Sequence, residues 1–200
     1  MLKIVSPPGA EPISSSELTS YLREDISSLS GEELGFIDGL ITASREYCES
    51  YQRRSYVTQT LEVTFDEFPQ KSQIITIPRG NLKKIDSFKY KDSLGVEHTL
   101  TEGSDFVCST SGVLGRIAPI NGWPSTDLYQ LDPIVIQFTC GNDFESVPLR
   151  VKQAMYMLCA FWYDNRSAVL VGSISKELEF SVKALLGFDR IGVPDASGRT

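Results

Sequence analysis

The spacing of apolar residues changes twice along this 200-residue chain. Before residue 56 and after residue 146, apolar side chains recur every three or four positions, which predicts amphipathic helices. Between these regions apolar and polar residues alternate, as over residues 57–65, and a period of two predicts strands. Since neither helical region can bury its apolar stripe alone, we expect the two to pack together. The predicted fold class is α+β, with N- and C-terminal helices packed together and an inserted block of short antiparallel β-strands.

This pattern divides the chain into five segments. Residues 1–13 contain three prolines and are expected to form an extended N-terminal arm. We expect N-terminal helices over residues 14–55 and a β-rich insertion over residues 56–141. Residues 147–190 are predicted to form C-terminal helices that pack on the N-terminal ones, and residues 191–200 to form a flexible tail.

Several short motifs mark where these elements begin. Two segments are typical of capping boxes at helix N-termini: residues 14–17 (SSSE), and Ser30 with Glu33. Pro148 is predicted to be the first residue of a C-terminal helix, where a missing N–H costs nothing. The segment 92–95 (DSLG) is predicted to be a hairpin turn between two strands.

Composition excludes several classes of function. The net charge is −7, which does not favour binding to a nucleic-acid backbone or to an anionic membrane. The four cysteines form no CxxC pair and the chain has one histidine, so no metal site, cofactor site or catalytic group is predicted. The longest apolar run, residues 154–163, is shorter than the ~20 residues that cross a bilayer. With no signal peptide recognisable at the N-terminus, we expect a soluble protein made in a reducing cytoplasm.

Charge is distributed unevenly along the chain. Residues 1–50 contain nine acidic and three basic residues, so they carry most of the net negative charge. The β-rich insertion contains instead a basic cluster around Asp86, made of Arg79, Lys83, Lys84, Lys89 and Lys91. This cluster is suited to contact phosphates or an acidic neighbour, and lysines that protect a sheet edge explain it about as well.

Two further groups of residues are candidates for function. Tyr163 and Arg166 close a C-terminal helix, where they either complete the core and the helix end or face a partner, since Tyr and Arg are enriched at binding hot spots. His98 and Cys108 are the residues that a small hydrolase would use, yet nothing in the sequence supplies the other groups of such a site.

Five segments, in this order, resemble motifs of the head–tail connector (adaptor) proteins of tailed phages, prophages and gene transfer agents. An acidic opening helix is followed by a helix that ends in a basic turn and leads into a "TQT"-like strand. A step like the family's "LPxxPL" comes next, here with Gly80-Asn81 in place of the usual proline region. The segments are residues 16–25 (SELTSYLRED), 37–60 (ending RRSYVTQT), 77–82 (IPRGNL), 147–166 (VPLRVKQA to WYDNR) and 178–186 (LEFSVKALL).

The last two segments carry most of the resemblance. They are similar to the family's "VPxxIxQAxxxLxxxWYxNR" and "LPxxVxxLL", with Glu179 where proline is usual. The resemblance covers roughly residues 14 to 190. It implies a non-enzymatic structural protein that forms a ring, usually of twelve copies, below the portal. Such a protein completes the head after DNA packaging and joins it to the tail.

The resemblance also implies partners and a location. These are further copies of the same chain, the portal protein, the next head-completion or tail protein, and double-stranded DNA that passes non-specifically through the channel. The expected location is the neck of a virion, with synthesis in the host cytoplasm and no membrane contact. In a cyclic ring two different faces of each subunit meet, and an acidic helical face with a basic β face would be such a pair.

The residues expected at the assembly interface are Arg79, Lys83, Lys84, Lys89, Tyr163 and Arg166. Two alternatives remain open. One is a nucleic-acid-binding module that uses the lysines of the basic cluster, and the other, with less support, is the small hydrolase.

Overall fold

The computed structural model describes residues 2–70, 73–166 and 176–192. The helices are α1 (Ser15–Leu22), α2 (Gly31–Gln52), α3 (Leu149–Asp164) and α4 (Lys176–Gly187). The strands are β1 (Leu2–Ser6), β2 (Gln59–Phe65), β3 (Ile75–Gly80), β4 (Leu82–Lys91), β5 (Glu97–Leu100), β6 (Phe106–Ser109), β7 (Leu114–Pro119) and β8 (Ile134–Cys140). The predicted α+β class is thereby confirmed.

The described residues form two compact units. The β unit contains residues 2–9, 57–70, 73–142 and 191–192, and the helical unit contains residues 10–56, 143–166 and 176–190. Residues 193–200, which hold most of the expected tail, lie outside the described part of the chain. Residues 2–6 of the expected N-terminal arm form β1, which pairs with β2 in the β unit.

The β unit consists of two antiparallel sheets that share one core. The first has the strand order β1-β2-β8-β4-β5 and the second the order β3-β7-β6. Strand β8 shows how the period of two builds this core, because its alternate residues Ile134, Ile136 and Phe138 are completely buried. Aromatic rings fill the middle, where Phe68 stacks on Trp123 with 5.5 Å between ring centroids.

One glycine allows a close backbone approach at the end of β8. Gly141 has φ +97°, and a Cβ atom at this position would lie 2.1 Å from the carbonyl oxygen of Val57. Only glycine combines this backbone conformation with such an approach. The N–H of Thr58 donates to the carbonyl of Asn142 at 3.0 Å, so the two segments are joined directly beside the glycine.

The helical unit is built on two capping boxes. At α1 the Ser14 side chain accepts from the Glu17 N–H while the Glu17 carboxylate accepts from the Ser14 N–H, and Ser30 and Glu33 do the same at α2. These confirm the predicted helix starts. At α3, Pro148 is the N-cap, one position before the first helical residue, so its predicted place at the first helical position is wrong.

An apolar stripe on α2 faces the other helices. The stripe contains Ile37, Ile41, Ser44 and Cys48, all buried as its helical spacing predicts. Helix α2 packs against α3, and α3 packs against α4. Among the helices that the structure describes, none is both long and apolar enough to cross a membrane.

Candidate assembly surfaces

The end of α3 forms an aromatic cluster with a cation over it. Asn165 caps α3, with its side-chain amide donating to the Phe161 carbonyl at 2.8 Å, and the chain then places Arg166 over two rings. The guanidinium carbon lies 4.2 Å from the centroid of Tyr163 and 4.8 Å from that of Phe36 on α2. Both distances fall within the range of cation–π attraction. We call Phe36, Tyr163 and Arg166 the aromatic–arginine cluster.

This cluster lies at the surface of the helical unit. Arg166 is exposed, Tyr163 is half-buried, and Phe36 keeps 37% of its surface exposed. The structure therefore brings together the two residues that the sequence nominated and adds Phe36, which comes from α2. An exposed arrangement of two aromatic rings and an arginine has the composition of a protein-binding hot spot.

The basic residues of the β unit are divided between its two sheets. Arg79 lies on β3 in the three-stranded sheet, whereas Lys83, Lys84 and Lys89 lie on β4 in the five-stranded sheet. Lys84 pairs with Asp86 at 2.7 Å and Lys89 with Glu97 at 2.8 Å.

The face of the sheet that carries these pairs is polar and of mixed charge. Lys83 donates to the Thr58 hydroxyl at 2.8 Å. Beside the lysine pairs, Gln137 donates to Glu62 at 2.9 Å, and Thr139 donates to Asp86 at 2.6 Å. A groove that tracks a nucleic-acid backbone presents an excess of cations, so this face gives no support to the nucleic-acid-binding alternative.

Most acidic residues among the first 50 have a structural role in the helical unit. Glu17, Asp25 and Glu33 cap helical turns, and Asp38 accepts from the Ser15 hydroxyl at 2.5 Å. The remaining acids with a clear role are three glutamates that surround one buried arginine. Much of this charge therefore serves the helical unit itself, which weakens the interpretation of a purely acidic binding face.

The buried arginine is Arg45, of whose side chain only 2% is exposed. Its Nε donates to Glu11 at 2.8 Å and its Nη1 to Glu49 at 3.0 Å, while Glu46 lies 3.5 Å from Nη2. Glu49 also accepts from the backbone N–H of Tyr56 at 2.7 Å. The network fixes the segment before α1, helix α2 and Tyr56, four residues beyond the end of α2, in one arrangement.

His98, one of the two residues of the hydrolase alternative, takes part in the β4–β5 turn. His98 Nε2 lies 2.9 Å from a carboxylate oxygen of Asp92, and its ring stacks on Tyr90 with 4.9 Å between centroids. Asp92 also accepts from the N–H groups of Leu94 and Val96, each at 3.0 Å, so it organises the β4–β5 turn. The histidine bond, followed by that from Val96, holds the pKa of the Asp92 carboxyl below its usual range.

Three of the four cysteines have raised thiol pKa values. Burial raises the pKa of Cys108, with a further contribution from Glu102, and burial also raises the pKa of Cys48. Burial also raises the pKa of Cys159 to about 11, and the hydrogen bond with Ser44 has a smaller, lowering effect on this pKa. Reactive cysteines have lowered pKa values, so these thiols lack the chemistry of a nucleophile. Within residues 2–70, 73–166 and 176–192, no cluster of His, Cys, Asp and Glu is arranged to hold a metal ion.

Comparison with known proteins gives no match by sequence and several by structure. No protein-family model and no curated protein matches the chain. The fold is similar to that of a chain in the neck of an empty gene transfer agent (GTA) particle solved with C6 symmetry. The TM-score is 0.76 at 18% identity, over 98% of this chain and 99% of the other.

Two further structures give the same identity and coverage. A chain in the virion of a native GTA particle has a TM-score of 0.74, and one in the neck of a native GTA particle solved with C12 symmetry has 0.65. At this identity the similarity shows a shared fold, and it extends over nearly the whole length of both chains.

Proposed function

We propose that this chain is a structural head–tail connector of a phage-like particle. The observation that carries the proposal is the similarity of fold to GTA neck chains over 98% of this chain and 99% of the other. Fold alone does not fix function, and the order of the five sequence motifs adds a second, independent reason for the same assignment.

The proposed assembly is a ring of identical subunits, most simply a dodecamer. GTA necks were solved with C6 and C12 symmetry, and twelve copies are compatible with both. The ring binds the portal protein on one side and the next head-completion or tail protein on the other, and double-stranded DNA passes through its channel without specific contacts. The protein is made in the host cytoplasm and located in the neck of the virion.

The work of such a protein is binding, and we propose that it has no catalytic activity. The lone histidine organises a hairpin turn through Asp92, and burial keeps the thiol of Cys108 protonated. The aromatic–arginine cluster is our first assignment for a contact within the assembly. We propose Arg79, Lys83, Lys84 and Lys89 as further contacts. The exposed ion pairs of Lys84 and Lys89 are worth ~0–1 kcal/mol each and are readily exchanged for pairs with a partner.

Co-expression with the portal protein encoded in the same genome tests the proposal. We expect electron microscopy of the purified complex to show a second ring seated on the portal, and native mass spectrometry to give twelve copies of this chain. The protein expressed alone is the control, because subunits that assemble only on the portal stay monomeric without it. A chain that remains monomeric and unbound beside an intact portal ring would contradict the connector assignment.

A further inference from the structure

The five-stranded sheet ends in two open edges. Strands β1 and β5 occupy the edges, and within the described part of the chain no strand pairs with the outer side of either. All five residues of β1 are exposed, including Leu2 at 38%, Ile4 at 48% and Val5 at 44%. Natural proteins normally protect an edge with charge, proline or a covering element, because an open apolar edge pairs with other chains.

The side chains of β1 extend the faces of the sheet to this edge. Leu2 is paired with Val63 and Ile4 with Leu61, and both partners are buried in the core of the β unit. Residues opposite each other in a pair of strands share a face, so Leu2 and Ile4 continue the core face without being covered. Lys3 is paired with Glu62 and lies on the opposite, polar face.

The side chains of β5 extend the two faces of the sheet to its other edge. Leu100 is paired with Phe88, a core residue only 1% exposed, so Leu100 lies on the core face. Glu97 and Thr99 alternate with it and lie on the polar face. If β1 of one copy is laid beside β5 of another as parallel strands with Lys3 opposite Thr99, Ile4 meets Leu100 on the core face and Leu2 lies opposite His98. On the polar face Lys3 then lies diagonally from Glu97, within reach of its long side chain.

Strand direction selects how two copies join. Every neighbouring pair in the sheet is antiparallel, so the first and fifth strands in its order, β1 and β5, run in the same direction. A ring operation that repeats the sheet side by side preserves this direction, and it joins β5 to the next β1 as parallel strands. Pairing of β1 with another β1 would instead be antiparallel about a two-fold axis and would close a dimer.

We propose that the outer edge of β5 in one subunit pairs with the outer edge of β1 in the next copy of this chain, as parallel strands. This contact joins the five-stranded sheets around the ring and uses two different surfaces of each subunit, as a cyclic assembly requires. It rests on the proposed ring, because the contact has no role in a monomer.

The backbone of β5 offers a way to block this contact alone. The N–H of Asp92 donates to the carbonyl of Val96 at 3.1 Å, which sets the alternation of hydrogen bonds along the β4–β5 pair. By that alternation His98 and Leu100 direct their backbone groups to β4, whereas Glu97 and Thr99 direct theirs outward. Proline at position 99 therefore removes an outward N–H and leaves the β4–β5 pairing intact.

The first test compares Thr99→Pro with Thr99→Val, which keeps the N–H, in co-expression with the portal. We expect the proline variant to lower the yield of portal-bound rings at least tenfold and the valine variant to assemble like the wild type. Circular dichroism of the free proteins checks that both fold. Equal ring yields from the two folded variants would overturn the proposal.

The second test is a disulfide cross-link, which does not depend on the proline variant. Lys3→Cys and Thr99→Cys are combined in a Cys108→Ser background, and the other native cysteines are buried. Oxidised rings should give a ladder of covalent trimers and larger species, while each single-cysteine variant gives at most dimers. Rings without a ladder would overturn the strand pairing and leave the connector assignment standing. Efficient dimers from Lys3→Cys alone would overturn the β5–β1 pairing in favour of β1–β1 pairing. The absence of any wild-type ring on the portal would overturn both the strand pairing and the connector assignment.

Discussion

Arg45 joins three acidic side chains of the helical unit. Its guanidinium is almost completely buried and pairs with Glu49, whose side chain is only 2% exposed. A buried ion pair is a weak source of stability in itself, but removal of one partner leaves an uncompensated charge in the interior. The consequence of a substitution therefore depends on which member of the pair remains.

We predict that Arg45→Leu lowers the free energy of unfolding by about 3–5 kcal/mol, because Glu49 is left buried without its cation. The double variant Arg45→Leu with Glu49→Gln should recover a large part of this loss, since the buried charge is then removed. Chemical unfolding followed by circular dichroism measures both variants. A loss below about 1 kcal/mol for the single variant would show that water or another cation reaches Glu49.

Two acidic caps make the helical unit sensitive to acid. The Ser14 N–H makes the largest contribution to holding the pKa of the Glu17 carboxyl below its ordinary value of 4.5. At Asp25 the Ser27 hydroxyl and N–H lower the pKa from 3.8. A carboxyl with a lowered pKa in the folded state contributes stability above its unfolded pKa and loses it as the pH falls through the folded value. The contribution of Glu17 is therefore complete above about pH 4.5 and declines below it.

We predict that wild type and Glu17→Gln differ in stability at pH 7 and converge at low pH. Glutamine keeps an acceptor for the capping box but has no charge for the helix N-terminus, so the expected difference at pH 7 is about 0.3–1 kcal/mol. Urea unfolding at pH 7, 5, 4 and 3 measures it. A difference that persists unchanged to pH 3 would assign the effect to packing instead of charge.

Most elements were predictable because they have one buried and one exposed face. Strand β8 and helix α2 show this, since their apolar periods coincide with their burial. Strand β1 has no buried face, so its sequence carries no period, and only the partner strand β2 reveals it. The ion pair of Lys89 with Glu97 could not be predicted from the sequence either, because it depends on the register of β4 with β5. In the candidate site, Tyr163 and Arg166 were found from their place at a helix end, whereas Phe36 joins them through the packing of α2 on α3.

Two separate surfaces are candidates for the contacts of the proposed ring. The aromatic–arginine cluster offers two rings and a cation at the surface of the helical unit, and hot spots enriched in Tyr and Arg carry a large share of binding energy. The two sheet edges belong to the β unit and serve, in our proposal, the contact between copies. The two surfaces can therefore be tested separately.

We predict that Arg166→Ala lowers the recovery of portal-bound rings at least tenfold, because truncation of a hot-spot side chain costs about 2 kcal/mol or more of binding energy. The stability of the free protein should change by no more than about 1 kcal/mol, since Arg166 is exposed and its contacts with the described residues are cation–π contacts. Arg116→Ala, which removes an exposed arginine from β7 in the β unit, is the matched control and should assemble normally. Co-purification with tagged portal, quantified by mass spectrometry, gives the comparison. Equal recovery of the two variants would remove the aromatic–arginine cluster from the interface and leave the ring assignment to be decided by the sheet edges.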